Sequence, residues 1–360
     1  MQDFLIVGGG VIGMMTALQL ADAGHSVALV ERGQCGREAS WAGGGIVSPL
    51  YPWRYSKAIS ALSSWSEGRY PELAGRLFEE TGIDPEYRQK GLLYLRVDDA
   101  DRALRWARDV AKPLATIGAE ELYAREPNAA PGFDDALWMP TLGSIRNPRL
   151  VKALRARLER MTQVEIHERC EVAGLVRRGS VIEGVETSAG AIRAGQTIIC
   201  GGAWSRGLLA DIGVELAVRP VKGQMILFKA PAGLVERVVL KDGRYVIPRG
   251  DGRVLAGSTL EEVGFDKQTT SAALESLHAS ALSIIPQLAR CPVEQQWAGL
   301  RPGSPDGVPT IGAVPGFDGL HVNAGHYRNG LVLAPAATRL LVDQLIGCEP
   351  IVDPAPYRLI

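Results

Sequence analysis

The stretch that most limits what this chain can become is its start, QDFLIVGGGVIGMMTALQLADAGHSVALVER over residues 2–32. Phe4 to Val7 is a short apolar run without a turn residue, which suits a strand buried on both faces. Gly8, Gly10 and Gly13 then fill a G-x-G-x-x-G spacing. The first glycine permits a tight turn, the second lets backbone approach a pyrophosphate, and the third lets the helix pack closely on the strand. The helix runs to about Ala23 and Gly24 stops it. Ser26 to Val30 reads as the next strand, and Glu31 ends it 18 residues after Gly13, where a ribose hydroxyl would need an acceptor. Glycine turns alone are common. Here the strand before, the helix after and the terminal acid agree, and the reading is a dinucleotide-binding βαβ unit rather than one with incidental glycines. Such a unit grips only the adenosine diphosphate half, so the chemistry must lie elsewhere in the chain.

A second glycine-rich loop follows almost at once. Ser40 and Gly43-Gly44-Gly45 can form another backbone cradle for phosphate or ring oxygens, the alternative being a flexible connector. A third approach point is Gly201-Gly202, which follows the apolar strand Gln196 to Cys200, with Val172 on an earlier strand of the same unit. Formal net charge is −1, which gives no electrostatic case for nucleic acid or for stable membrane association. The five cysteines are scattered and the five histidines dispersed, so no metal is expected. The first strand begins too early for a signal peptide and no apolar run approaches the roughly 20 residues needed to span a bilayer, so the expected location is the cytoplasm.

Periodicity predicts one helix over Lys57 to Thr81, a charged helix over Asp99 to Ile117, a loop from Pro127 to about Pro140, and a helix over Arg149 to Met161. Short strands follow from Val164, with Ala191 to Ala194 separate from Gln196 to Cys200. From Leu216 the turn-punctuated strands change to antiparallel-sheet language. Val293 to Gly299 reads as a strand, Leu300 to Gly307 as a loop, and Pro335 as a first-turn residue of the last helix. Nucleotide units alternating with antiparallel inserts suggest two discontinuous domains with a ligand at their junction.

Cations near strand ends are the leads for chemistry. Arg301 lies between an apolar run and a proline–glycine turn, where a guanidinium meets either an anionic ligand or an internal acid such as Asp306. Arg328, in the glycine-rich loop before the last helix, has the same two readings. Tyr245 either points its hydroxyl at a ligand or packs in the core. The last helix presents a positive dipole end near Asn329 to Val332, suited to an anionic ring. No nucleophile motif supports hydrolysis.

Taken together, VGGGVIG with Glu31-Arg32, SWAGGGI, PVKGQ (220–224), YVIPR (245–249), WAGLRPGSPDGVPTIG (297–312) and GHYRNGLVLAPA (325–336) resemble the FAD-dependent D-amino acid oxidase superfamily, on its bacterial glycine-oxidase branch, over essentially the whole chain. The resemblance implies an α/β plus α+β fold: a Rossmann-like FAD-binding domain (1–80, 148–217, 300–360) and a discontinuous antiparallel-sheet substrate domain (81–147, 218–299). It implies that Val11, Ile12, Glu31, Arg32, Ser40, Gly43, Gly44, Gly45 and Val172 hold FAD, with His326, Tyr327, Arg328, Asn329, Gly330, Leu331 and Val332 by the flavin ring. Arg301 matches the family's carboxylate-binding arginine and Tyr245 its substrate-side tyrosine. Arg328 lies in the active-site loop, and Leu260 falls where the branch has a pocket methionine. Cys348 is in no flavin-linking motif, so the FAD is expected to be non-covalent. The implied activity is oxidation of glycine and other small amines, with O2 reduced to H2O2, in a homo-oligomer that supplies glycine imine for thiamine thiazole synthesis. A D-amino acid dehydrogenase using a quinone, and a flavin-binding subunit without turnover, stand as alternatives.

Overall fold

The glycine turn takes its position from the sheet it rises from. A computed structural model describes residues 1–359. Strand Gln2–Val7 lies at the centre of an eight-stranded sheet, with Val27–Glu31 and Val164–Glu168 on one side and Gly190–Ile199, Leu320–Ala324 and Thr310–Ala313 on the other. All neighbours pair parallel except Thr310–Ala313 at the edge. The chain fills one side of Gln2–Val7 before the other, so Gly8 leaves the sheet at a topological switch point, where such sheets open a crevice. Alternation sorts the apolar residues into two layers. Phe4, Ile6, Leu29 and Ile198 pack under helices Val11–Asp22 and Gly330–Ile346. Leu5, Val7, Val30 and Ile199 face the strands Val172–Arg178 and Val181–Thr187.

The second eight-stranded sheet runs Val293–Gly303, Arg219–Phe228, Val254–Gly257, Arg244–Pro248, Val238–Lys241, Leu92–Leu95, Asp135–Met139, Ala115–Gly118. Its pairs are antiparallel except Val238–Lys241 with Leu92–Leu95, where two distant chain segments join. Helix Ser271–Leu282 covers one face through Leu277 and Ala281. Among the described residues no helix is long and apolar enough to cross a membrane, and no group of three or more metal-ligating side chains forms.

Several elements differ from expectation for identifiable reasons. Lys57 to Thr81 is two helices, Lys57–Glu67 and Tyr70–Thr81. The break turns Tyr70 into the core, fully buried. The charged helix stops at Asp109. Ala111 adopts φ 54° and Pro113 follows. Ala115–Gly118 is then an edge strand on Asp135–Met139, itself a buried strand where a loop was expected. The Pro/Gly/Asn/Asp residues before Asp135 mask its short apolar run. Gly190–Ile199 is one continuous strand, antiparallel to its hairpin partner at the start and parallel within the main sheet. Residues 300–303 are strand rather than loop, with Arg301 opposite Val221. The last helix begins at Gly330, so Pro335 lies inside it. Tyr70 donates its hydroxyl to the Leu331 carbonyl, which Pro335 has no N–H to satisfy.

Candidate active site

At the glycine turn, backbone proximity fixes the residue type. Gly8 has φ 112°, and a Cβ there would lie 2.4 Å from the Cys200 carbonyl oxygen. A Cβ on Gly13 would lie 1.9 Å from the Gly8 carbonyl oxygen. These two glycines are therefore required by the turn and by helix-on-strand packing, while Gly10, Val11 and Ile12 line the adjoining cleft. Ser40 Oγ accepts from Val11 N at 2.8 Å. Glu31 accepts from Gly9 N and Gly33 N, both at 2.8 Å, so its carboxylate is fixed at the end of the second strand. The Arg32 guanidinium stacks 3.7 Å from the Trp204 ring centroid and pairs with Glu38 at 3.4 Å. Val172 begins its strand half-buried beside the cluster of Val30 and Cys170. Gly202 lines the cleft; Gly8, Gly13, Glu31, Arg32, Val172 and Gly201 do not.

The second glycine loop is pinned from beneath. A Cβ on Gly45 would lie 1.9 Å from the Ile145 carbonyl oxygen, and one on Gly43 would lie 2.7 Å from Asn147 Nδ2. Arg249, buried, donates to the carbonyls of Gly44 at 2.8 Å and Ile145 at 3.1 Å. Burial pushes its pKa down to about 10, as expected of a cation held by neutral acceptors.

Between the two sheets lies a cleft of about 1240 Å³, its open mouth included. Ser40, Gly43, Gly44, Gly45, Tyr245, Arg301 and all of residues 326–332 line it. Four lining residues carry buried polar atoms without a partner: Asn147 Oδ1, Asn323 Oδ1, His326 Nε2 and Asn329 Nδ2. Unpartnered buried groups are costly and rare, and these four all belong to residues that border the cleft. Burial pushes the His326 pKa down to about 3, so its imidazole is neutral at physiological pH. The N-terminal turn of the last helix, Gly330 to Val332, opens on the same space. Backbone cradles, orphaned polar atoms and a helix dipole together fit FAD.

Arg301 projects from strand Val293–Gly303 into this cleft. Its Nη2 donates to Ser258 Oγ at 2.8 Å and its Nη1 to the Thr259 carbonyl at 3.2 Å. A Cβ on Gly223 would lie 2.2 Å from its nitrogens, so Gly223 makes its room. Asp306 does not pair with it; among the described residues no carboxylate comes within ion-pair distance of Arg301 or of Arg328. Burial, followed by the neighbouring Arg328 charge among the lowering causes, pulls the Arg301 pKa below the ordinary arginine value. Arg328 is exposed at the cleft. Tyr245 is buried, and its hydroxyl meets only Met225 Sδ at 3.5 Å. Leu260 is 50 % exposed and does not line the cleft; Ser258, two residues before it, does.

Sequence reading missed Asn147, Gly223, Met225, Ser258 and Arg249. Alternation in PVKGQM puts Gly223 and Met225 on one face, a signal that was available. Ser258 and Asn147 carry none, because Ser258 follows a strand end and Asn147 begins helix Asn147–Leu158, both far in sequence from the glycine loops.

A sequence profile described as "FAD dependent oxidoreductase" matches residues 3–344. A glycine oxidase of Pseudomonas aeruginosa is 56% identical over 353 residues, covering 98% of this chain and 97% of that one. A glycine oxidase of Pseudomonas putida is 51% identical over 99% of this chain and 98% of its own. The crystal structure of glycine oxidase from Geobacillus kaustophilus superposes with a TM-score of 0.94 at 32% identity, covering 100% of this chain and 98% of that one.

Proposed function

This chain belongs to the FAD dependent oxidoreductase family, and from that premise we propose that it is a glycine oxidase. Glycine, O2 and water give glyoxylate, ammonia and H2O2, and sarcosine and small D-amino acids are further substrates. The observation that carries the reading is the pair Arg301 and Arg328, two cations without acids at one cleft.

Gly10, Val11, Ile12, Ser40, Gly43, Gly44, Gly45 and Gly202 would cradle FAD, with Glu31 and Arg32 at the adenosine end and residues 326–332 at the ring. Bound FAD supplies the acceptor for a hydride leaving the substrate α-carbon. Arg301 takes the substrate carboxylate bidentately. Ser258 and Thr259 already fix its guanidinium plane, so little freedom is lost on binding. Tyr245 donates its hydroxyl to the same carboxylate in exchange for a weak sulfur acceptor. Arg328 adds positive potential at the mouth and draws in the anionic end. The helix N-terminus at Gly330 to Val332 favours developing negative charge. His326, kept neutral by burial, is too weak a base to abstract an α-proton. This supports direct hydride departure assisted by the substrate nitrogen lone pair.

We divide the chain into an FAD-binding part (1–80, 148–217, 300–360) and a substrate part (81–147, 218–299). The two-sheet arrangement supports this, and strand Val293–Gly303 runs across the junction. A cytoplasmic homo-oligomer delivering glycine imine to thiamine thiazole assembly is the setting the family resemblance implies. The test is anaerobic addition of glycine, sarcosine and D- and L-amino acids to the purified yellow protein, followed by air or an artificial dye. Bleaching by glycine and recolouring by air is the expected result. Bleaching by no amine would overturn the reading in favour of a non-catalytic flavoprotein, and recolouring only by dye would favour a dehydrogenase.

A further inference from the structure

On the face of strand Arg219–Phe228 opposite the cleft, a charged cluster lies outside the proposed chemistry. Lys222 is 2 % exposed and Gln224 is fully buried. The Lys222 ammonium donates to Asp266 Oδ2 and to the Gln268 carbonyl, both at 3.1 Å, and lies 3.3 Å from Glu261 Oε2. The Lys222 and Glu261 backbones exchange two N–H···O bonds of 2.9 Å. Glu261 Oε1 accepts from Gln224 Nε2 at 2.9 Å and from the Thr259 hydroxyl. Thr259 Oγ1 accepts from Gln224 N at 2.8 Å. Three acceptors thus hold the Lys222 ammonium in one place.

What it fixes is the turn from Ser258 to Glu261. That turn holds both acceptors of Arg301, Ser258 Oγ and the Thr259 carbonyl. Glu261 is the hinge: one carboxylate oxygen faces the ammonium and the other faces Thr259. Asp266 ties the far end of the same loop to the same nitrogen. Lys222 itself touches nothing in the cleft, since alternation sends Gly223 and Met225 there instead.

We propose that Lys222 is a positioning residue for Arg301, setting carboxylate affinity from the opposite face of the sheet through Glu261 and Thr259. The proposal rests on the reading of Arg301 as the carboxylate partner. A merely structural lysine would alter melting temperature and flavin content without separating substrate affinity from turnover.

The experiment compares FAD-loaded wild type, K222M, E261Q and R301A. Each is measured for KM and kcat with glycine, for the dissociation constant of acetate (a carboxylate without an amine) from the visible flavin spectrum, and for melting temperature. K222M and E261Q are expected to raise both KM and the acetate constant about tenfold, with kcat within about twofold, because misplacing the guanidinium weakens ground-state binding most. If K222M does not load FAD, E261Q carries the same comparison with smaller disruption. The proposal is overturned if the loaded variants keep both constants within about twofold of wild type, or if kcat falls while acetate binding holds. If R301A leaves acetate binding unchanged, the carboxylate assignment itself fails. If R301A abolishes it while the Lys222 and Glu261 variants keep it within about twofold of wild type, only the positioning role fails.

Discussion

Arg301 is a cation held by neutral acceptors, and that one fact decides how it responds to substitution. Its two partners lie 42 and 43 residues earlier, so no local window of sequence reveals them. The apolar setting of Arg301 was legible; the choice between Asp306 and a ligand was not. R301A should lower kcat/KM for glycine by about 3 kcal/mol, roughly 10²-fold, mainly through KM, read from steady-state rates. Glu126 is a second residue whose surroundings set its behaviour. It is fully buried, accepting from Glu236 N at 2.9 Å and Arg237 N at 3.2 Å through Oε2, while Oε1 has no partner. Burial pushes its pKa up from 4.5 to about 7. The folded state therefore retains a proton that the unfolded state loses between those values. Its contribution to stability is complete below pH 4.5 and is lost as pH rises through about 7. E126Q should flatten that part of the stability profile, gaining relative to wild type at pH 8 and not at pH 4, measured by urea unfolding.

Among the elements, the last helix and the second glycine loop depend most on distant partners. Proline inside the helix frees the Leu331 carbonyl, and Tyr70 fills the gap, while Ser66 Oγ accepts from Ala336 N at 3.0 Å. The helix pair Lys57–Glu67 and Tyr70–Thr81 thus completes the hydrogen bonding of Gly330–Ile346. Y70F should cost about 1–2 kcal/mol, seen as a lower urea midpoint with unchanged slope. The periodicity of Lys57 to Thr81 was legible; its interruption was not, because the carbonyl that requires Tyr70 belongs to a segment 261 residues away. In the glycine loop, Arg249 alone holds the Gly44 and Ile145 carbonyls together. R249M should leave both unpaired and weaken FAD retention about tenfold or more, measured by titrating apoprotein with FAD. The loop itself was readable from its three glycines, whereas the arginine beneath it, just past strand Arg244–Pro248, carried no local sign of that contact.

For the molecule as a whole, a cleft bounded by both sheets makes the ligand a structural member. Ligand binding to the folded form alone stabilises by RT ln(1 + [L]/Kd), about 2.7 kcal/mol at a hundredfold excess over Kd. FAD should therefore raise the melting temperature of the apoprotein, and ADP, reaching only the first glycine turn, should raise it less. The alternation of nucleotide-type and antiparallel segments was legible because period and turn spacing are local signals. That residues 81–147 and 218–299 share a domain came with the family resemblance, but the parallel pairing of Leu92–Leu95 with Val238–Lys241 that joins them was not legible, since pairing across more than a hundred residues leaves no local mark. The order of that first sheet also bears on how the protein is made. Strand Gln2–Val7 pairs on one side with the nearby Val27–Glu31, but on the other with Gly190–Ile199, which pairs with Leu320–Ala324. Gln19 in the first helix bonds Thr338 in the last at 2.8 Å. The first helix thus gains one of its partners only 319 residues later in synthesis. Residues 326–332 line the cleft, so ribosome-bound chains arrested near residue 300 should retain no flavin through gel filtration, while the released protein retains it.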